Sequence, residues 1–333
     1  MLTLVIIILG ASFVLYTLLG GADYGAGILE IFAGEKEEKT ISTALAPVWE
    51  ANHVWLILAV VILFTGFPEV YASLSVALHI PLLVVLLGII FRGTAFTFRH
   101  YDVRPDAAHK YYAFIFKAAS FLTPVFLGII LGAMILGRIS FDPSAGFYKV
   151  YIWPWCNLFC LTMGIFSTSL FVYIASIFLI GEAKDESERK NYSRQGKRSM
   201  LMTMLTGLLV FVMAEVEDHT LLPQFLQSPV SITMMTLASV LCPIIWVFLN
   251  KQKNKTLYLR LAIGLQVTAI MIGWFYIQYP VLINIQQAEP LTFFNTQAPE
   301  ATFRQLLIAL LVGLVLVIPA FVYLFRVFKV KTN

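Results

Sequence analysis

An all-α, polytopic membrane fold with nine transmembrane helices is predicted by three observations. Hydrophobic residues make up 59% and charged residues only 13% of the 333 positions, and the mean hydropathy of +0.83 lies far outside soluble globular usage. Nine apolar stretches each approach or exceed the roughly 20 residues needed to cross a hydrocarbon core of about 30 Å. Basic residues alternate between rich and poor connections in step with those stretches, as they do in loops on two sides of a bilayer.

The first span is placed at 2–22. No basic residue precedes it, and Gly20-Gly21-Ala22-Asp23 is a poor cleavage site, so it reads as a retained helix and not a signal peptide. Its far end continues Tyr24-Gly25-Ala26-Gly27. Helical spacing sets Gly20, Ala26 and Gly27 around Asp23, which lets a neighbouring helix approach closely and bury the carboxylate. A glycine-rich kink with Asp23 at a helix end facing headgroups is the other reading.

The second span, 48–67, opens with Pro47-Val48-Trp49-Glu50-Ala51-Asn52-His53-Val54-Trp55. A carboxylate at the hydrocarbon boundary is costly and normally faces a bundle interior, a partner or a proton path, which makes Glu50 a functional candidate. Glu50 shares a helix face with His53, and such a pair relays a proton where water reaches both. An aromatic belt of tryptophans with a snorkelling acid is the alternative. The third span, 71–98, closes at Phe91-Arg92 and continues to Arg99-His100, with Arg92, Phe96 and Arg99 on one face. Arg92 is the natural counter-ion for a buried acid, unless it snorkels to lipid phosphate.

Spans four to nine fall at 113–137, 151–181, 200–217, 231–250, 257–279 and 304–326. Together they make one integral membrane domain over 1–333, with halves of four helices at 1–137 and 151–279 and a final helix. Glu215, Glu217, Asp218 and His219 close the sixth span as a weak candidate cluster, or a solvated helix end. Cys156, Cys160 and Cys242 lie in or beside apolar spans and read as small buried hydrophobes, so no metal site is expected.

Connections such as 182–199 and 280–303 are too short to carry chemistry alone, so function must sit between helices. Phosphate-loop, dinucleotide-binding, metalloprotease and nucleophile-elbow signatures are missing from the sequence. The connections after spans one, three, five and seven, with their flanking turns and the tail, hold all but four of the 23 basic residues. That bias places the N-terminus outside and the C-terminus in the cytoplasm. The stretch Lys184 to Arg198 then reads as facing anionic lipid headgroups, with no nucleic-acid partner.

Gly21-Ala22-Asp23-Tyr24-Gly25, the Pro47 to Leu56 string and Phe91-Arg92, in that order on the first three of nine spans, resemble subunit II of the cytochrome bd quinol oxidases. The specific motifs are confined to the first 100 residues, while length and span count agree along the chain. The resemblance implies two four-helix bundles plus a peripheral helix, in a bacterial cell membrane. It implies a partner, the haem-bearing subunit I, which carries two haems b and one haem d, oxidises quinol and reduces O2 to water. A small single-span third subunit is a further candidate partner, whose presence the sequence leaves open. This chain would stabilise subunit I and bring in cytoplasmic protons through Asp23 and Glu50, with Trp49 and Arg92 beside them near an interface or quinone. Where some relatives have aspartate after the tryptophan, Glu50 is one methylene longer.

Two other readings stand beside this one. Haem ligation by the chain itself is disfavoured, because His53 and His79 fall at different depths, His100 and His109 in a loop and His219 at the opposite face. A secondary transporter with a buried carboxylate ion site would need broken helices in both halves, and the glycine-rich break at 20–27 has no counterpart in span five or six.

Overall fold

A computed structural model describes residues 1–101, 107–250 and 256–329. Helices α1 (Leu2–Leu15) and α2 (Gly21–Leu29) are joined by a π-helical turn, Tyr16–Gly20, and are followed by α3 (Glu35–Leu45), α4 (Trp49–Asn52), α5 (Val54–Gly66) and α6 (Pro68–Ala77). Then come α7 (His79–Tyr101), α8 (Ala107–Leu136), α9 (Phe147–Tyr151), α10 (Leu158–Ile180), α11 (Glu186–Val216), α12 (Leu221–Gln227), α13 (Pro229–Asn250) and α14 (Thr256–Gln278). Strands β1 (Val281–Ile283) and β2 (Leu291–Thr292) precede α15 (Glu300–Lys329). Among the described residues nine helices are long and apolar enough to cross a membrane, beginning with a continuous Leu2–Phe32.

Several boundaries differ from the sequence expectation for identifiable reasons. The glycine-rich stretch after position 20 is neither a kink nor a break: α2 runs on through it, because its glycines meet other helices and gain packing for the entropy they lose. The stretch Lys184 to Arg198 is helical from Glu186 onward, since Asp185 caps α11 by accepting from the Glu188 amide at 2.8 Å. His100 and His109 lie within α7 and α8, not in a loop. Residues 71–77 form part of the separate helix α6, which ends where Leu78 leaves helical geometry. Arg104, Lys251, Lys253, Lys255 and Lys331, which contribute to the charge bias, lie outside the described residues.

Close helix approach dominates the centre. Helix α10 packs against α2 and α8 on one side and α11 on the other. A Cβ on Gly164 would lie 2.6 Å from the Val125 carbonyl oxygen of α8, and one on Gly25 would overlap the Phe171 carbonyl of α10. Small residues do this work in bilayers because lipid tails are as apolar as leucine and association rests on packing.

Two apolar clusters stack along the helix axes. One, at the basic end, gathers Tyr24, Phe96, Phe116 and Ile174. The other, at the hairpin end, gathers Ile62, Phe67, Ile139 and Phe293. There β1 and β2 pair antiparallel, and an isolated parallel bridge joins Ile139 to Ile285. The segment bonds to the second and fourth spans: the Ala298 amide donates to the Gly66 carbonyl at 2.8 Å, and the Asn284 side chain donates to the Ile135 carbonyl at 2.8 Å. It delivers α15 onto α5, where Phe321 meets Trp55 with ring centroids 5.3 Å apart.

Gly25→Val is therefore expected to lower the stability of the detergent-purified protein by about 1–3 kcal/mol or more through overpacking. Thermal unfolding followed by tryptophan fluorescence checks this; an unchanged midpoint would mean that α2 and α10 separate without cost.

Candidate functional site

Asp23 stands near the start of α2 and is only 1% exposed. On α7, Arg92 brings Nη1 to 2.7 Å from Asp23 Oδ2. Its Nη2 donates to the Asp23 backbone carbonyl at 3.1 Å, and its Nε donates to the Ser120 hydroxyl of α8 at 3.1 Å. The rings of Tyr24 and Phe116 each have their centroid 4.9 Å from the guanidinium carbon. One arginine thus ties three helices, and its planar fork of donors suits that task better than an ammonium would. Asp23 is therefore no headgroup-facing helix end, and Arg92, also 1% exposed, does not snorkel.

A second rung lies two helical turns along. Glu30, seven residues after Asp23, is fully buried and accepts from both terminal nitrogens of Arg99, seven residues after Arg92. Lys117 of α8 stands 3.9 Å from Glu30 and 2.6 Å from Glu38. The Phe116 ring, already against Arg92, has its centroid 4.8 Å from Arg99, so it is wedged between two guanidinium groups. Sequence reasoning put Arg92 and Arg99 on one face but missed Glu30. The available signal was the matched spacing of seven in acids on one helix and arginines on another, which keeps each pair on one face.

Glu50 is exposed on the surface of this chain and has no ion pair among the described residues. The structure does not bring it to Asp23 or Arg92. Trp49 instead reaches α7: its ring lies 5.7 Å from Phe96, and a Cβ on Gly93 would be 3.0 Å from it. Trp49 and Gly93, with Ile89, Ile90 and Thr94, line an open groove of about 430 Å³. His53, at the junction of α4 and α5, packs against Tyr24 and Tyr16 with ring centroids 5.9 and 6.1 Å away.

At the hairpin end the acidic cluster is a clasp more than a solvated end. Glu217 pairs with Arg138 at 2.7 Å and accepts the Leu158 amide at the start of α10 at 3.1 Å, while Arg138 lies over Trp153 at 4.6 Å. Glu215 and Asp218 are exposed. Burial holds the His219 imidazole below its ordinary pKa, with Glu215 opposing. Cys160 is buried and Cys242 half-buried, but Cys156 is exposed, because α10 starts only at Leu158 and leaves it on the connecting turn.

The described histidines do not assemble an axial pair. His53 lies between tyrosines, His79 bonds the Val76 carbonyl beside Tyr151, and His219 stands against Phe159. With α2 continuous, the half-helices of an ion-transport site are not formed at the glycine-rich segment either, so transport is not favoured.

Arg92→Leu is expected to cut the yield of folded protein sharply, since an uncompensated buried carboxylate costs about 3–5 kcal/mol. Adding Asp23→Leu to the same chain should recover part of that yield on detergent size-exclusion chromatography. Equal yields for the single and double variants would show that the pair is not coupled.

A family model described as cytochrome bd terminal oxidase subunit II matches residues 1–328. Cytochrome bd ubiquinol oxidase subunit 2 of Bacillus subtilis (strain 168) is 23% identical over 329 residues, covering 98% of this chain and 95% of that protein. A putative cytochrome bd menaquinol oxidase subunit II of the same organism is 23% identical over 341 residues, covering 97% and 93%. Cytochrome bd-I ubiquinol oxidase subunit 2 of Escherichia coli (strain K12) matches over 178 residues at 26% identity, 52% of this chain and 46% of that one. Among solved structures, a chain of the bd oxidase from Geobacillus thermodenitrificans shares the fold at a TM-score of 0.80 and 20% identity, covering 99% of both chains. With nine spans, a matching fold and a family model that extends over nearly the whole length, the chain belongs to the cytochrome bd terminal oxidase subunit II family.

Proposed function

We propose that this chain is the subunit of a quinol:oxygen oxidoreductase that ligates no haem itself, is inactive alone, stabilises the haem-bearing subunit I and helps deliver protons through Asp23 and Glu50. Family membership makes it one part of a haem-containing oxidase complex in a bacterial membrane, with a partner subunit I. The separate surroundings of its histidines speak for the two haems b and the haem d lying on that partner.

The observation that carries the reading is the contrast between the two acids. Asp23 is enclosed and charge-paired, with Oδ1 left without a partner among the described residues, while Glu50 is exposed on a face that begins a membrane span. A carboxylate on such a face is costly against lipid, so Glu50 fits a subunit interface or a water-filled path. Reduction of dioxygen to water takes up one proton for each electron, and acids at the edge of a bundle can hand those protons inward. Glu50 collects and Asp23 receives; Arg92 fixes the position of the Asp23 carboxyl through its ion pair.

Trp49 and the α7 groove beside it suit the apolar body of a quinone, and Arg92, the residue before Gly93 in the groove wall, braces that wall from behind. The basic bias supports an outside N-terminus and a cytoplasmic C-terminus. Lipid, or a small single-span third subunit, would cover exposed Val315, Leu316 and Val322 of α15. The chain acts as one integral membrane unit, whose halves at 1–137 and 151–279 are bridged through α10.

Glu50→Gln and Asp23→Asn are expected to slow oxygen uptake by the assembled complex on the order of tenfold, with haem content retained. Parental rates with normal haem spectra in both variants would remove the acids from proton delivery. Material purified through a tag on this chain should show b-type and d-type haem signals that disappear when the second large subunit is stripped away; haem-bearing material without that subunit would refute the assignment of haems to the partner.

A further inference from the structure

Unpartnered polar atoms gather where α4 meets α5. His53 Nδ1, Asn52 Oδ1 and Trp55 Nε1 are shut from solvent with no hydrogen-bond partner among the described residues, as is Asp23 Oδ1 on α2. Leaving such groups without partners is costly, and buried polar groups without protein partners are characteristically served by ordered water. His53 and the ion pair lie against the same aromatic ring. The imidazole meets Tyr24 edge-on at 5.9 Å with an interplanar angle of 75°, and the Arg92 guanidinium lies over Tyr24 at 4.9 Å. The π-helical turn Tyr16–Gly20 sets the third wall, bringing the Tyr16 hydroxyl to 3.4 Å from that of Tyr24 and the Tyr16 ring to His53. π-turns of this kind recur at functional sites because they re-aim a side chain within a helix. On the other side, Glu50 stands one turn earlier than His53, and the His53 amide bonds to its carbonyl at 3.2 Å.

We infer that His53 is the relay between Glu50 and Asp23, passing protons through an internal water held between its Nδ1 and Asp23 Oδ1. This rests on the proton-delivery reading above and adds to it the inner step from His53 to Asp23. The Glu50 O–H bond breaks as an N–H bond forms on the outward ring nitrogen. The imidazolium then releases its Nδ1 proton to the water, and the water passes one of its own to Asp23. No electron moves, and Glu50 is recharged from bulk water. A half-turn of the ring, which leaves the tautomer unchanged, then turns the protonated nitrogen inward and the bare one outward for the next transfer. The charged and titratable groups facing His53 are Asp23 and Tyr24 from α2, Arg92 from α7 and Tyr16 from the π-turn, while Glu50, one turn earlier on its own element, is exposed at the surface.

The test uses the assembled oxidase complex. His53→Gln keeps an amide of similar size but takes up no proton; oxygen uptake should fall on the order of tenfold with haem content intact, and the rate should lose its dependence on pH between about 5 and 8. His53→Ala should regain activity on addition of imidazole. A parental rate and pH profile in His53→Gln overturn the relay. If Glu50→Gln and Asp23→Asn are slow in the same assay, only the His53 step has failed; if they too are unaffected, the proton-delivery reading has failed with it. A high-resolution density map of the unsubstituted complex reads the proposal without any variant. Water density between His53 and Asp23 is expected, and protein packed directly across that space overturns it.

Discussion

Everything at the basic end of this bundle depends on the need to neutralise Asp23 inside hydrocarbon. An isolated carboxylate there is untenable, so α7 must present a guanidinium at that depth, and α8 must supply the hydroxyl and ring that complete its surroundings. Position and angle of three spans follow from one side chain. Glycine at 25 lets α10 close against α2, and glycine at 164 lets it close against α8, which keeps bulk water from the pair and strengthens it. The second rung, Glu30 with Arg99, repeats the constraint two turns away and prevents the helices from rotating about the first.

Spans were legible in the sequence because a bilayer demands long apolar runs, and nothing subtler is needed to find them. Asp23 and Arg92 were legible as partners for a related reason: charge in such runs is rare enough that opposite signs must meet. Glu30 was harder, since it sits among the charged residues that follow the first span and looks solvated until α7 is laid beside it. Glu50 read as a member of the same site, and the fold instead turns it outward, because the break between α4 and α5 at His53 aims Trp49 at α7 and leaves its neighbour on the surface.

Features set by distant chain segments were not legible. The strap from 280 to 299 joins the last loop to the second and fourth spans through hydrogen bonds that no local pattern announces. Tyr173, Gln266 and Cys242 form a hydrogen-bonded set across α10, α13 and α14, with Tyr173 donating to Gln266 at 3.0 Å, and nothing in their spacing marks it. The π-turn at Tyr16 has no composition cue either; it shows only once the hydroxyls of Tyr16 and Tyr24 are found together.

The two rungs also bear on how the chain enters the membrane. Asp23 and Arg92 are separated by 69 residues, so at ribosomal speeds the first span emerges seconds before its counter-charge exists. An unpaired acid or arginine at helix centre costs about 2.5–3.5 kcal/mol on insertion scales. The first span is therefore best retained beside the translocon, its acidic face toward water, until the third arrives and the two leave for the lipid as a neutral pair. Release of the opening helix is in that sense delayed, and the order of synthesis is not the order of release.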